Sequence, residues 1–226
     1  MAQPRAGAET IFALYSRQGK WYWRDAFPGI TCLVGDRAIA QNNEVLPPGA
    51  LFRAGRFTLA VYPGTDALAL IIFDSQRPQQ VAFEHLHYFP PDARYRVRAR
   101  LERFPEKREV RIITTRKLEK TFYRYARVHF QLLGKNLVLS ALKSSLEGAD
   151  SKYLFIPFKD ATNGRESYEV GRFIDVPEPN GDEFILDFNL CYNPLCNYSP
   201  AYNCPLPPLE NFLDIAVPAG EKVYPH

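Results

Sequence analysis

The run RYRVRARLER, residues 94–103, decides the fold class. Tyr95, Val97, Ala99 and Leu101 take one set of alternate positions, and Arg94, Arg96, Arg98 and Arg100 take the other. Successive side chains of a strand point to opposite faces, so this run is a half-buried strand with a basic outer face. The arginines have two readings: a track for anions or nucleic acid, or a solvated face neutralised by Glu102, Glu106 or Glu109. A formal net charge of only +3 favours the second.

Outward from that run the same period recurs. Residues 108–115 (REVRIITT) read as its return strand. Ala126, Val128, Phe130 and Leu132 alternate, a turn follows at Gly134-Lys135-Asn136, and Leu137, Leu139 and Ala141 alternate again, which is a hairpin signature. Residues 153–158 (YLFIPF) form a buried strand closed by a turn at 160–164, and residues 168–176 and 183–188 supply two more. Towards the N-terminus, Pro28-Gly29, Gly35-Asp36, Pro47-Pro48-Gly49, Gly55 and Pro63-Gly64 punctuate short apolar runs at 30–34, 57–62 and 67–73. Residues 10–15 read as a short helix or an extended lead-in.

Composition agrees. Aromatic residues make up 14% of the 226 residues and prolines number 19, a balance that suits pleated surfaces and turns more than helices. The chain is long enough to bury a sizeable core. The expected fold is mainly β: an antiparallel sandwich or partly closed barrel of roughly a dozen strands, with an irregular proline-rich C-terminal tail after Asn189. One domain over residues 1–226 is expected, with a soft subdivision at 117–121. No secretory leader or apolar run of roughly 18 residues stands out, so a cytoplasmic location is expected. No partner among nucleic acids or membranes is expected.

The stretch CYNPLCNYSPAYNC, residues 191–204, holds three of the four cysteines. Zinc favours four ligands in close pairs, and the C-x4-C-x7-C spacing has no such pair, so Cys196 and Cys204 are weak metal candidates and no cofactor is expected. A Cys196–Cys204 disulfide needs an oxidising compartment, and buried inert thiols complete the alternatives. As a nucleophile Cys196 would need a neighbouring base. His85 and His87 fall on one strand face with Asp92 following, and read as surface or turn histidines. Asp187 and Asn189 flank Phe188 and point the same way at a strand end, a common place for a site on a β scaffold. Asp187 is therefore a candidate general base. Arg172, a strand arginine among apolar neighbours, needs an acidic partner or an anionic ligand, and Asp187 is the expected partner.

Several phrases together resemble a known family. LFIPFKDATNG (154–164), SYEVGRF (167–173), LDFNLCYNPLCNYSPAYNCPLPPLEN (186–211) and AGEK (219–222) are similar to the domain-of-unknown-function 1684 family of bacteria and archaea. In that pattern Glu169 and Val170 replace glycines, and Cys191 replaces an alanine, leaving Cys196 and Cys204 as the pair. The resemblance marks Tyr168, Arg172, Asp187, Asn189, Tyr192, Asn193, Cys196, Cys204, Pro205, Pro208 and Asn211 as motif positions. It implies no activity. The function expected is small-molecule binding in a polar pocket lined by Tyr168, Arg172, Asp187, Asn189, Tyr192, Asn193 and Asn211. The alternatives are a hydrolase using Asp187 or Cys196, and a structural motif without a ligand.

Overall fold

In the computed structural model, residues 12–25, 30–35, 37–39, 45–47, 49–63, 68–76 and 85–225 are described. The chain divides into two compact units, residues 1–82 and 83–226, where the sequence reading has one domain. Each unit has its own apolar cluster, and no shift in composition marks the border between them. Residues 117–121, the expected soft subdivision, lie instead at a tight connection between two paired strands of the second unit.

The first unit holds the hairpin β1 (Phe12–Arg17) and β2 (Lys20–Asp25), so residues 10–15 lead into a strand and not a helix. Beside it is an antiparallel sheet of β3 (Ile30–Val34), β4 (Arg37–Ile39), β5 (Leu51–Ala54), β6 (Phe57–Pro63) and β7 (Leu68–Asp74), in the order β4-β3-β5-β6-β7. Trp23, Cys32, Phe52, Leu59 and Val61 form its core. The turns at Gly35 and Gly55 are where the sequence places them; the expected turns at Pro28-Gly29 and Gly64 lie outside the described residues.

The second unit is one six-stranded antiparallel sheet, β12-β11-β10-β9-β8-β13, curled into a nearly closed barrel. Its strands are β8 (Arg96–Ile113), β9 (Glu119–Leu132), β10 (Lys135–Lys143), β11 (Tyr153–Phe158), β12 (Arg172–Pro177) and β13 (Glu183–Asp187). Closure comes just past β13, where Tyr192 and Phe173 exchange backbone hydrogen bonds of 2.8 and 2.9 Å. Leu133 and Gly134 both have positive φ, as a two-residue hairpin turn of the favoured hand requires, so the β9–β10 turn is one residue earlier and tighter than expected. Among the described residues no helix is long and apolar enough to cross a membrane.

The alternation in residues 94–103 sorts as read: Ala99 and Leu101 are buried, and Arg96, Arg98 and Arg100 are exposed. Acidic groups offset part of that basic face, the expected Glu102 acting on Arg100 and others joining it. Arg94 pairs with Asp92 at 2.6 Å and Arg96 with Asp187 at 3.6 Å, Arg100 lies opposite Glu183, and Glu102 serves His129 and Arg127. Residues 108–113 do not return; they continue β8 past an irregularity between Arg103 and Arg108. A second shift, between Ala141 and Leu142 of β10, leaves Tyr125 of β9 unpaired on both sides. Bulges of this kind re-aim side chains. Here Tyr125 donates to Glu178, which also pairs with the buried Lys143 and with Arg103 at 3.4 Å.

The proline-rich tail has no strand pairing of its own length and runs through short 3-10 turns. It still alternates: Leu213, Ile215, Val217 and Ala219 enter the barrel core beside Phe158, Phe188 and Leu186. Asn211 fixes it to the sheet, accepting from Ser140 N (2.6 Å) and donating to Ser140 O (2.9 Å) and Pro157 O (2.7 Å). Phe188 is fully buried and meets the rings of Phe130 and Phe158 at 5.5 and 5.4 Å. Phe188→Ala should lower unfolding free energy by about 3–5 kcal/mol, read from a urea titration with an unchanged slope.

Candidate functional site

Arg172, at the first position of β12, is completely buried. Its partner is Asp160, at 2.6 Å, and not Asp187 as the sequence reading has it. The same guanidinium donates to the carbonyls of Val217 (2.7 Å) and Ala219 and lies over the Phe158 ring at 5.4 Å. Asp160 in turn accepts from Thr162 N (2.8 Å) and Val217 N (3.1 Å). Arg172 is thus a staple that ties the 160–162 turn and the tail to β12, its charge balanced by Asp160 while its Nε stays unpartnered. Gly171 precedes it with φ +122°, and a Cβ there would stand 2.6 Å from Phe158 O and 2.7 Å from Pro207, so only glycine lets the chain enter β12 at this point.

The other expected pocket residues are also turned inward or paired. Asp187 caps the turn that follows it, accepting from Asn189 N (3.0 Å) and Nδ2 (2.9 Å), and its second oxygen faces Arg96. Asp187 is thus engaged within the chain on Oδ1 and faces an arginine on Oδ2. Asn189 spends its remaining bonds on Asp92 N and O, at 2.9 and 3.0 Å. Tyr192 donates to Asp175 at 2.6 Å, and Asn193 donates to Lys222 O at 2.7 Å. These residues share one end of the barrel and one tail, but Arg172, Asp187, Asn189 and Asn211 act there as structural connectors. Sequence reading missed Asp160 because the turn containing it gave no sign of facing the barrel.

Cys196 and Cys204 are brought together, and Tyr168 with them. Pro194 opens the turn Leu195–Asn197, whose geometry directs Cys196 N–H to Cys204 Sγ at 3.2 Å. Cys204 is held from the other side by the β8–β9 connection. Its N–H donates to Thr115 Oγ1 at 3.2 Å, and its carbonyl accepts from Thr115 N at 2.9 Å. Arg116 braces the loop between the cysteines through Pro200 O (2.7 Å) and Ala201 O (3.0 Å). The Cys204 thiol and the hydroxyls of Tyr168 and Thr115 surround the Cys196 thiol closely enough to act on its ionisation. Cys196 is partly exposed and Cys204 is buried.

This arrangement separates the two thiols chemically. The hydrogen bond from Cys204 holds the Cys196 thiol down, at about 6, against the opposing effect of burial, and Tyr168 helps. The same bond pushes Cys204 up, with burial adding to it. Tyr168 is raised by burial first and by its bond to Cys196 second. Cys191 is different. It is buried, donates to Ala219 O at 3.3 Å, and burial pushes it up to about 12. Thr115 could not be found from sequence, since it lies far from the cysteine motif along the chain. Among the described residues no group of three His, Cys, Asp or Glu side chains is placed to hold a metal. The rings of His85 and His87 sit 4.6 Å apart, away from any such group.

The sequence matches the family described as protein of unknown function DUF1684 over residues 81–222. A solved structure, the solution NMR structure of an uncharacterized protein from Haloarcula marismortui, is similar to this chain at 39% identity. That likeness covers 62% of this chain and 77% of the other, with a TM-score of 0.52. No curated protein matches.

Two outcomes follow from this geometry. Arg172→Met strands Asp160 in the core and should cost about 3–5 kcal/mol in urea unfolding, with Asp160→Asn on top recovering part of the loss. Alkylation of Cys196 by iodoacetamide, followed by peptide mass, should rise with a midpoint near pH 6 and level off above it, because a depressed thiol is already thiolate there. Cys204→Ala removes the hydrogen bond and should move that midpoint up toward the ordinary thiol value of about 8.5.

Proposed function

The chain belongs to the DUF1684 family of proteins of unknown function, and on that footing we propose that it exchanges thiols and disulfides with small molecules, Cys196 attacking and Cys204 resolving. The observation that carries this reading is the backbone N–H of Cys196 donating to the sulfur of Cys204 at 3.2 Å, which holds the two cysteines side by side. An attacking thiol works best when its thiolate forms near ambient pH, and a resolving thiol must stand close enough to close the bond. Cys196, partly exposed, meets the first condition and Cys204 the second.

Cys196 thiolate attacks one sulfur of a small disulfide RSSR, the S–S bond breaks, and one RS⁻ leaves and takes a proton from water. The mixed disulfide Cys196–S–SR remains. Cys204 then gives up its proton and attacks Cys196 Sγ, forming the Cys196–Cys204 bond and expelling the second thiol. RSSR is reduced to two RSH while the pair is oxidised, and an excess of monothiol runs the sequence backwards. Tyr168, whose hydroxyl stands beside Cys196, helps hold the thiolate before the first attack. A cytoplasmic setting belongs to this reading, since a reducing compartment keeps such a pair as thiols. The small-molecule partner expected from sequence is then a thiol-bearing metabolite in its disulfide form.

Oxidised glutathione is the probe. Wild-type protein should lose two titratable thiols and two hydrogens of mass, with Cys32 and Cys191 unoxidised. Cys204→Ser should stop at a glutathione adduct on Cys196, and Cys196→Ser should not react. A wild-type protein that keeps the adduct without closing, or that keeps all its thiols, would overturn the reading.

A further inference from the structure

Glu221 is nearly sealed, 6% exposed, and stands apart from the molecule's other buried charges. Asp160 has Arg172 and Glu178 has Lys143, but the described hydrogen bonds to Glu221 come from neutral groups. Asn193 N–H donates at 2.8 Å, the Tyr198 hydroxyl donates to the same oxygen, and the Tyr88 hydroxyl approaches the other at 3.3 Å. A buried carboxylate without a cation is costly, because neutral donors screen its charge without balancing it.

The side chains next to it show a second, independent deficit. Asn197 is completely buried, and neither its Oδ1 nor its Nδ2 has a hydrogen-bond partner. Asn193, one turn earlier, is 3% exposed and its Oδ1 is also unpartnered. Its Nδ2 is committed to Lys222 O at 2.7 Å, so the amide cannot simply turn over to cure this. Both amides lie beside the Tyr198 hydroxyl without meeting it in hydrogen-bonding geometry. Buried polar groups are partnered in nearly all native structures, and two unpartnered amide oxygens by one unbalanced carboxylate call for a common explanation.

We infer that Glu221, with the side-chain oxygens of Asn193 and Asn197, forms a binding site for a monovalent alkali cation. Hard cations take carboxylate, amide and hydroxyl oxygens, and a single carboxylate matches a single positive charge. A water molecule would supply the amides with hydrogen bonds but would leave the carboxylate unbalanced. The site is built from the AGEK phrase and the turn Leu195–Asn197, and it stands whether or not the thiol pair exchanges disulfides.

The test uses the full chain exchanged into choline chloride and titrated with sodium or potassium chloride at constant ionic strength. Melting temperature should rise saturably with one alkali ion, by roughly 5 °C or more at a hundredfold excess over its Kd. Sodium NMR relaxation of the wild-type protein should show a bound fraction that potassium displaces, a readout that needs no variant. Asn197→Leu and Glu221→Gln should each abolish the saturable rise, and either one that folds suffices. A melting temperature indifferent to the choice of sodium, potassium or choline would overturn the site and leave buried water as the occupant. A rise confined to calcium would overturn it as well.

Discussion

A guanidinium sealed in a β-barrel needs an opposite charge and acceptors, and the second unit is arranged to supply them to the two terminal nitrogens of Arg172. Asp160 supplies the opposite charge, and the carbonyls of Val217 and Ala219 take further N–H groups. Asp160 then reaches across to Val217 N, so a single ion pair joins a turn, a strand and the tail. A buried pair of this kind does not add stability in proportion to its Coulomb attraction, since desolvation offsets most of it. What it adds here is position. The tail lacks a strand ladder to set its register, and the Arg172 acceptors at residues 217 and 219 set it instead.

Everything proposed about chemistry depends on that register. With the tail placed, Gly220 passes so close to Cys191 that a Cβ would stand 2.4 Å from its sulfur, which locks Cys191 into the core as an inert thiol. Glu221 then falls beside Asn193 and Tyr198, and the Leu195–Asn197 turn presents Cys196 to Cys204. The other end of the same loop is fastened to the β8–β9 connection through Thr115 and Arg116. Two cysteines of one motif are made unequal by where the loop ends are tied, one half open to solvent and one beneath it.

The sheet was legible before the site was. Period-two alternation in residues 94–103, 126–132 and 137–141 reports which face of each strand is buried, because the pleat forces it. The strands Ile30–Val34 and Tyr153–Phe158 could be bounded to the residue from their flanking turn residues. Bulges were not legible. An extra residue such as Tyr125 leaves no mark on composition, so residues 108–113 read as a separate return strand when they continue β8. The division at residue 82 was equally silent, since both units use the same strand-and-turn vocabulary.

From sequence alone came the β class, the antiparallel pattern, the irregular tail and the residues that deserved scrutiny: Tyr168, Arg172, Cys196, Cys204 and Asn211. Sequence shows that a buried arginine must have a partner, but not which one, because pairing is a matter of distance between segments that the chain separates. Strand logic points to Asp187; the partner is Asp160, which the fold brings within 2.6 Å of the guanidinium. The same limit applies to the thiols and to Glu221. Only the tertiary structure brought Thr115 to Cys204 and Tyr198 to Glu221, since long-range proximity is set by how the whole core closes and leaves no trace in local spacing.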